Sequence, residues 1–463
     1  MLGVRISIST TNPVTGKVVE EFEVLSPQAV DRRLASSAAA YVAFRTTTFA
    51  QRKAWMHRCA DILEAEVETF ANTISLEMGK TLVAARAEVL KSAFGARFYA
   101  DNAESFLADE PADAAGVGAT AAYVRWEPLG AIFAIMPWNY PFWQVMRFAA
   151  PTLMAGNVGI LKHASNVPRC ALALEDLFER AGFPTGVFQT LLVEPETVES
   201  VLSDPRVAAV TITAGEAAGR SVGAIAGRAI KKSVMELGGN DAFIVMPSSN
   251  LAEAAAVGAK SRCQNNGQSC IAAKRFIVHE DVVDEFSALL TAAMAALVVG
   301  DPLEASTDVG PLATQRAVID VDAAVRSAVE EGGRVLLGGQ RLDRDGWFYP
   351  PTVLTDLKST MRIHDEEVFG PVAQIYAVPN LDAAIALANA TELGLSSSGW
   401  TTDVDEQDRI VAELAVGAVF VNGMSASYPA LPFGGVKGSG HGRELAAMGI
   451  KEFCNAKTVW VRR

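Results

Sequence analysis

The chain has 463 residues, 50% hydrophobic and 20% charged, enough for two or three ordinary cores and unlike a disordered composition. Lys plus Arg number 40 against 53 Asp plus Glu, a formal charge of -13, so nucleic-acid binding is not expected. Met1 is followed by Leu-Gly-Val-Arg-Ile-Ser, which lacks the basic-then-apolar order of a secretory leader. The apolar stretches at 129–136 and 148–161 are too short for a membrane span. Cys59, Cys170, Cys263, Cys270 and Cys454 are few and scattered, a pattern of reduced thiols in a cytoplasmic protein.

In chain order, residues 51–70 and 81–99 carry apolar side chains at helical spacing, with Gly79 as the stop between them. Lys80 beside that stop reads as a surface residue without a role. Residues 112–118 are a small-residue loop and 121–126 alternate as a strand. Beyond them short apolar strands at 131–136, 158–162, 188–192, 208–213 and 232–237 alternate with helices. One helix opens at Pro141 and closes at Gly156; others span 167–181 and 217–230. This alternation predicts a parallel sheet covered on both faces, with ligands beyond the carboxyl ends of its strands. The loops at 137–141, 163–166 and 214–216 are the places to search. Residues 251–420 predict a second α/β unit. The tail, 451–461, ends in an extended Thr-Val-Trp-Val that needs an edge to pair with, such as one on another subunit.

Five motifs carry the chemistry. Gln264-Asn-Asn-Gly-Gln-Ser-Cys270 places a cysteine on a polar turn after a helix, where backbone N–H groups favour the nucleophilic thiolate. A buried structural thiol is the alternative there. Met136-Pro-Trp-Asn-Tyr-Pro141 stiffens Asn139 between two prolines at a strand end, where its amide either donates to an oxyanion or satisfies a turn. Met235-Glu-Leu-Gly-Gly-Asn240 ends a strand with Glu236, a general base or one half of a core ion pair. Glu366-Glu-Val-Phe-Gly-Pro371 and Pro432-Phe-Gly-Gly-Val-Lys-Gly-Ser-Gly440 set glycines beside an aromatic, as where backbone approaches a ligand. Gly116-Val-Gly118 precedes a strand instead of opening a helix and is no dinucleotide fingerprint.

In this order and spacing the five motifs resemble the aldehyde dehydrogenase superfamily, from Asn12-Pro-Val-Thr-Gly16 to Val459-Trp460. Leu161-Lys-His-Ala-Ser165 brings the chain nearest the bacterial succinate-semialdehyde dehydrogenases. The resemblance implies an α/β fold with a Rossmann-like parallel-sheet cofactor domain (1–111 and 129–238) and a second α/β catalytic domain (239–436). A small β oligomerisation arm (112–128 and 446–463) completes it, in a homodimer or homotetramer. It implies that Cys270 attacks an aldehyde carbonyl, that Asn139 and the Cys270 N–H hold the oxyanion, and that Glu236 activates water against the resulting thioester. The implied cofactor residues are Trp138, Lys162, Ser165, Gly215, Glu216, Leu237, Glu367 and Phe369. Thr213-Ala-Gly-Glu216 departs from the family's Thr-Gly-Ser-Glu, leaving the helix that follows to offer backbone N–H groups to a pyrophosphate.

Ser165 stands where NAD-preferring relatives often carry Glu; with Lys162 it admits a 2′-phosphate, so NADP is favoured and NAD remains open. For a semialdehyde substrate, Arg147 pairs the distal carboxylate, on one helical face with Asn139. Gln264, Ser425 and Ser427 are the further polar partners, and Tyr140, Phe142 and Trp143 the apolar lining. Cys263 reads as helix packing, His163 as lining and His441 as a turn residue; no metal site is expected. Competing readings are a CoA-acylating enzyme, which would not need Glu236, a dehydrogenase for an apolar or glutarate-type aldehyde, and a weakened dinucleotide-binding scaffold.

Overall fold

The computed structural model describes residues 8–463. The opening Met1–Ser7, on which the expectation about a secretory leader bears, lies outside the described residues.

Two large sheets organise the chain. The first runs in the order Gly440–His441, Lys232–Glu236, Val207–Thr213, Ala131–Met136, Val158–His163, Phe188–Thr190, parallel except for the Gly440 strand. Successive strands lead outward in one direction from Ala131–Met136, and the chain then returns to its other side at Val207–Thr213. That reversal is a topological switch point, where a crevice opens beyond the strand ends. The loops carrying Asn139 and Gly215 leave from these two adjacent strands.

The second sheet runs Arg334–Leu337, Thr352–Thr355, Val372–Val378, Arg275–His279, Ala242–Val245, Ser396–Trp400, Ala418–Val421, parallel except at the Arg334 edge. Strand periodicity explains how it is buried on both faces: Phe243 and Val245 enter one apolar cluster, Ala242 and Ile244 another.

A three-stranded sheet pairs Cys454–Val461 with Ala121–Pro128, which also pairs Glu110–Pro111. The terminal strand pairs along one edge within the chain, all eight of its residues in register. Its other edge has no strand beside it among the described residues.

Local departures from the expected elements have specific causes. The segment 51–70 is two helices, Phe49–Ala65 and Val67–Met78, broken at Glu66, whose φ of -112° and ψ of 25° leave the helical region and whose carboxylate pairs with Arg180. Gly79 ends the second at φ 75°, as a left-handed cap should. The helix expected from Pro141 starts at Trp143: Glu88, from the helix Leu82–Phe106, accepts the N–H groups of Phe142 (2.8 Å) and Trp143 (3.1 Å) and caps it from outside. Asn157, alone in an apolar stretch, is fully buried; its amide accepts from Gly130 N at 2.9 Å and donates to Phe453 O at 2.9 Å. It ties the first sheet to the start of the terminal strand.

Candidate active site

Cys270 follows the helix Leu251–Cys263 and a turn in which Asn265, Asn266 and Gly267 take φ of 53°, 57° and 79°. Left-handed backbone costs glycine nothing and asparagine little, which is why Asn-Asn-Gly stands there. The same asparagines then fasten the turn. Asn266 Nδ2 donates to Gly79 O at 2.7 Å and Pro311 O at 2.9 Å, and Asn265 Nδ2 to Asn139 O at 2.7 Å and Gln268 O at 2.9 Å. Lys274, fully buried, donates to the carbonyls of Ser269 at 3.0 Å and Cys270 at 2.7 Å and stands 3.3 Å from Glu367. One ammonium thus fixes both the cysteine backbone and the carboxylate assigned to the cofactor ribose.

Asn139 is buried just beyond the strand Ala131–Met136, and its Nδ2 donates to Gln268 O at 3.1 Å. Its amide therefore lies against the cysteine turn, with a second N–H available to an oxyanion. Its backbone carbonyl accepts from Lys80 Nζ at 2.9 Å. The reading of Lys80 as a surface residue is overturned: it is 1% exposed, paired with Glu88, with Nζ 3.9 Å from the Tyr140 ring centre. A lysine can be buried here because Glu88, in the helix Leu82–Phe106 that follows, supplies the counter-charge. Asn139 also precedes the helix Trp143–Ala155 that carries Arg147, so helical periodicity does not relate the two.

The glycines of the other motifs mark close approaches. A Cβ on Gly239 would lie 2.6 Å from Cys270 O, and one on Gly238 2.5 Å from Glu367 Oε2. At Gly267 it would meet the Gly370–Pro371 backbone at 2.3 Å, and at Gly434 Glu236 Oε1 at 2.7 Å. Gly-Gly after Glu236, Gly-Pro after Phe369 and Gly434 are thus places where the cleft walls touch.

A cavity of about 300 Å³ joins Trp138, Asn139, Thr213, Ala214, Gly215, Leu237, Gly238, Cys270, Glu367 and Phe369. It opens into a groove of about 810 Å³ that shares Trp138, Gly238, Glu367 and Phe369 and adds Glu216. Trp138 and Phe369 meet edge to face, ring centres 5.8 Å apart. These residues fit a dinucleotide on two grounds. A Cβ on Gly215, at the start of the helix Glu216–Arg228, would meet nothing within 4 Å, which leaves room over the helix N-terminus for a pyrophosphate. Glu367 Oε1 accepts no hydrogen bond from the protein, which leaves it for a ribose hydroxyl. Lys162 is buried at the end of the strand Val158–His163 and Ser165 is exposed in the loop after it; neither lines either cavity.

Glu236 lies outside the lining of this cavity. Its carboxylate is fully desolvated beside Gly434, and both oxygens lack hydrogen-bond partners. Burial pushes it well above the usual carboxylate range, the Glu444 carboxylate adds to this, and Arg147 and Arg443 oppose. Cys270 is likewise pushed up, to about 12, by burial, with Arg147 and Lys274 opposing. The turn therefore does not favour the thiolate as its polar sequence suggests, because desolvation outweighs the neighbouring cations. Arg147 acts on both reactive groups. It is buried, ion-paired with Glu444, and its guanidinium stands 4.5 Å from the Phe433 ring centre.

Of the polar partners suggested for a substrate, Ser425 bonds Ser396 Oγ at 2.7 Å, Gln264 Nε2 is buried without a partner, and Ser427 lies against Trp143 and Lys91. Glu88, Lys274 and Glu444 went unseen in the sequence, and Lys80 was read only as a surface residue. The signal for Lys274 was available, since Lys-Arg opening an apolar strand implies buried counter-charges or carbonyls.

Fold and site together define a two-sheet α/β protein whose cleft brings a cysteine and an amide beside a dinucleotide-sized groove. The sequence profile of the aldehyde dehydrogenase family matches residues 4–459, and the chain belongs to that family. It is 58% identical over 454 residues to the succinate-semialdehyde dehydrogenase [NADP(+)] 1 of Mycobacterium tuberculosis, covering 98% of this chain and 99% of the relative. The Mycobacterium avium succinate-semialdehyde dehydrogenase [NADP(+)] is 56% identical over 455 residues, 98% of this chain and 96% of the relative. The structure of the succinic semialdehyde dehydrogenase of Streptococcus pyogenes with NADP+ superposes with a TM-score of 0.95 at 34% identity, covering 98% of this chain and all of that one.

Proposed function

We propose that the chain oxidises succinate semialdehyde to succinate with NADP. The observation that carries this is the Asn139 amide held on the Cys270 turn inside one cavity with Glu367. The names of the relatives supply the substrate and cofactor.

Cys270 adds to the aldehyde carbon as its proton, kept on the thiol by burial, passes to a water molecule. The free N–H of Asn139 and the Cys270 backbone N–H take the charge that develops on oxygen. That charge makes the carbon a hydride donor, and a nicotinamide held by Trp138, Glu367 and Phe369 would supply the acceptor. Trp138, Leu237 and Phe369 exclude water from this face. The acyl group remains as a thioester on Cys270. Glu236, with a proton affinity raised by burial, takes a proton from water as it attacks that thioester. A free-acid product follows from this base, against a CoA-acylating route.

Lys162 and Ser165 support NADP: a lysine and a hydroxyl, with no carboxylate at 165, suit a 2′-phosphate. The acid whose charge reaches Lys162 is Glu196, in the turn after Leu191–Val193. The free edge of the strand Cys454–Val461 supports assembly with further copies. The deciding experiment is a comparison of initial rates for succinate semialdehyde, glutarate semialdehyde and butanal, each with NADP and NAD. The reading requires the highest kcat/KM for succinate semialdehyde with NADP and succinate as product; equal efficiency on butanal would overturn the substrate, and acyl-CoA formation the chemistry.

A further inference from the structure

Lys91 belongs to none of the motifs. It lies on the helix Leu82–Phe106, half-buried, with its ammonium 4.7 Å from the Trp143 ring centre. Lys91 Nζ donates to Ser427 Oγ at 3.0 Å, and Trp143 Nε1 donates to the same oxygen at 3.0 Å. A serine oxygen has two acceptor positions and one hydrogen to give. Both acceptor positions are taken, so the Ser427 hydroxyl can only point its hydrogen elsewhere, and Ser427 is 5% exposed.

Arg147 borders the same place. Its Nη2 is buried without a hydrogen-bond partner. Its charge is felt at Lys91, whose ammonium is pushed down to about 8 by burial first and by Arg147 second. The acids nearby are committed: Glu444 pairs with Arg147, and Glu88 with Lys80 and the N–H groups of Phe142 and Trp143. Glu444 answers the charge of Arg147, but no acid pairs with Lys91 among the described residues, so an anion would complete the Lys91 ammonium, the Arg147 Nη2 and the Ser427 hydroxyl. Arg147 stands one helical turn after Trp143 on the helix Trp143–Ala155, which follows the Asn139 loop held on the Cys270 turn.

We propose that Lys91 is a specificity-determining residue that, with Arg147 Nη2 and the Ser427 hydroxyl, holds the distal carboxylate of a short carboxylated aldehyde while Cys270 holds its other end. This rests on the semialdehyde reading above and adds to it a second cation, from a different helix. Lysine suits the position because its ammonium rests over the indole and still has donors to give an anion.

The test is steady-state kinetics of the full-length protein with NADP on succinate semialdehyde and on butanal, for the native chain and for Lys91→Met and Lys91→Arg. Lys91→Met keeps the stem and removes the charge. It should raise KM for succinate semialdehyde by about tenfold or more with kcat little changed, as loss of one charge-assisted hydrogen bond implies, and leave kcat/KM for butanal within about twofold. Lys91→Arg should recover most of the semialdehyde KM. An unchanged KM for succinate semialdehyde in Lys91→Met, or equal losses on both aldehydes, overturns the role of Lys91 while the substrate reading stands on the native chain's own preference. A native chain that does not prefer the semialdehyde over butanal removes both.

Discussion

The turn that carries the half-buried Cys270 and the pocket that buries Glu236, Arg147 and Glu444 are differently finished. In the turn most donors are spent, Gln264 Nε2 excepted: Asn265 and Asn266 each give two hydrogen bonds to backbone carbonyls, and Lys274 reaches the carbonyls of Ser269, Cys270 and Ala272. In the pocket Arg147 Nη2 and both Glu236 oxygens have no hydrogen-bond partner in the protein. Buried polar groups are nearly always satisfied, so those left over mark where water or substrate works. On the function proposed above, the turn is a frame and the pocket a place for reagents. Damage to the frame should appear in stability, and damage to the reagents in rate.

The sharpest way to break this distinction is at the nucleophile. Cys270→Ser should remove aldehyde oxidation, a loss on the order of 10⁴-fold or more, with an unchanged far-UV spectrum and retained NADP binding; substantial residual turnover would refute the assignment. Glu236→Gln should cost about 10²–10⁴ in steady-state turnover while leaving a first-turnover burst of NADPH, because acylation precedes the water step. The native kcat should rise with pH through a point well above the ordinary carboxylate range, since a raised carboxyl must lose its proton before it acts as a base. In Glu236→Gln that limb should vanish; its persistence would assign the base elsewhere. Asn139→Ala should lower kcat by about 10²–10³ with a smaller effect on KM.

The frame is probed by Lys80→Met, which leaves the Glu88 carboxylate buried without its cation. We expect a loss of about 3–5 kcal/mol in unfolding free energy, read by denaturant titration. An unchanged midpoint would mean that the pair does not hold the Asn139 loop. The smallest effect is on thiol reactivity. Alkylation of Cys270 by iodoacetamide without cofactor should speed up about tenfold per pH unit from neutrality upward with no plateau, as a thiol raised to about 12 requires. A plateau near neutral pH would show a stabilised thiolate. The other four cysteines are buried and should not contribute.

Much of this was legible in the sequence, because the signals involved are local. Alternating apolar strands and helices between 129 and 245 gave the parallel sheet, since burial on both faces demands continuous apolar strands. Pro-Trp-Asn-Tyr-Pro marked a stiff loop, and Asn-Asn-Gly before Cys270 marked a left-handed turn, because few residues tolerate those backbone angles. The start of the helix after Asn139 was misplaced for the complementary reason: its cap is Glu88, which no reading of residues 136–143 could supply.

What only the tertiary structure decided is how buried charges are shared. Lys80 reaches Asn139, Lys274 joins the cysteine backbone to Glu367, and Arg147 meets Glu444, each across a long stretch of chain. The sequence alone established which segments are apolar and which turns are forced, because those depend on spacings of a few residues. The ionisation of Cys270 and Glu236 depends instead on desolvation and on charges brought near by folding, and neither has a period along the chain.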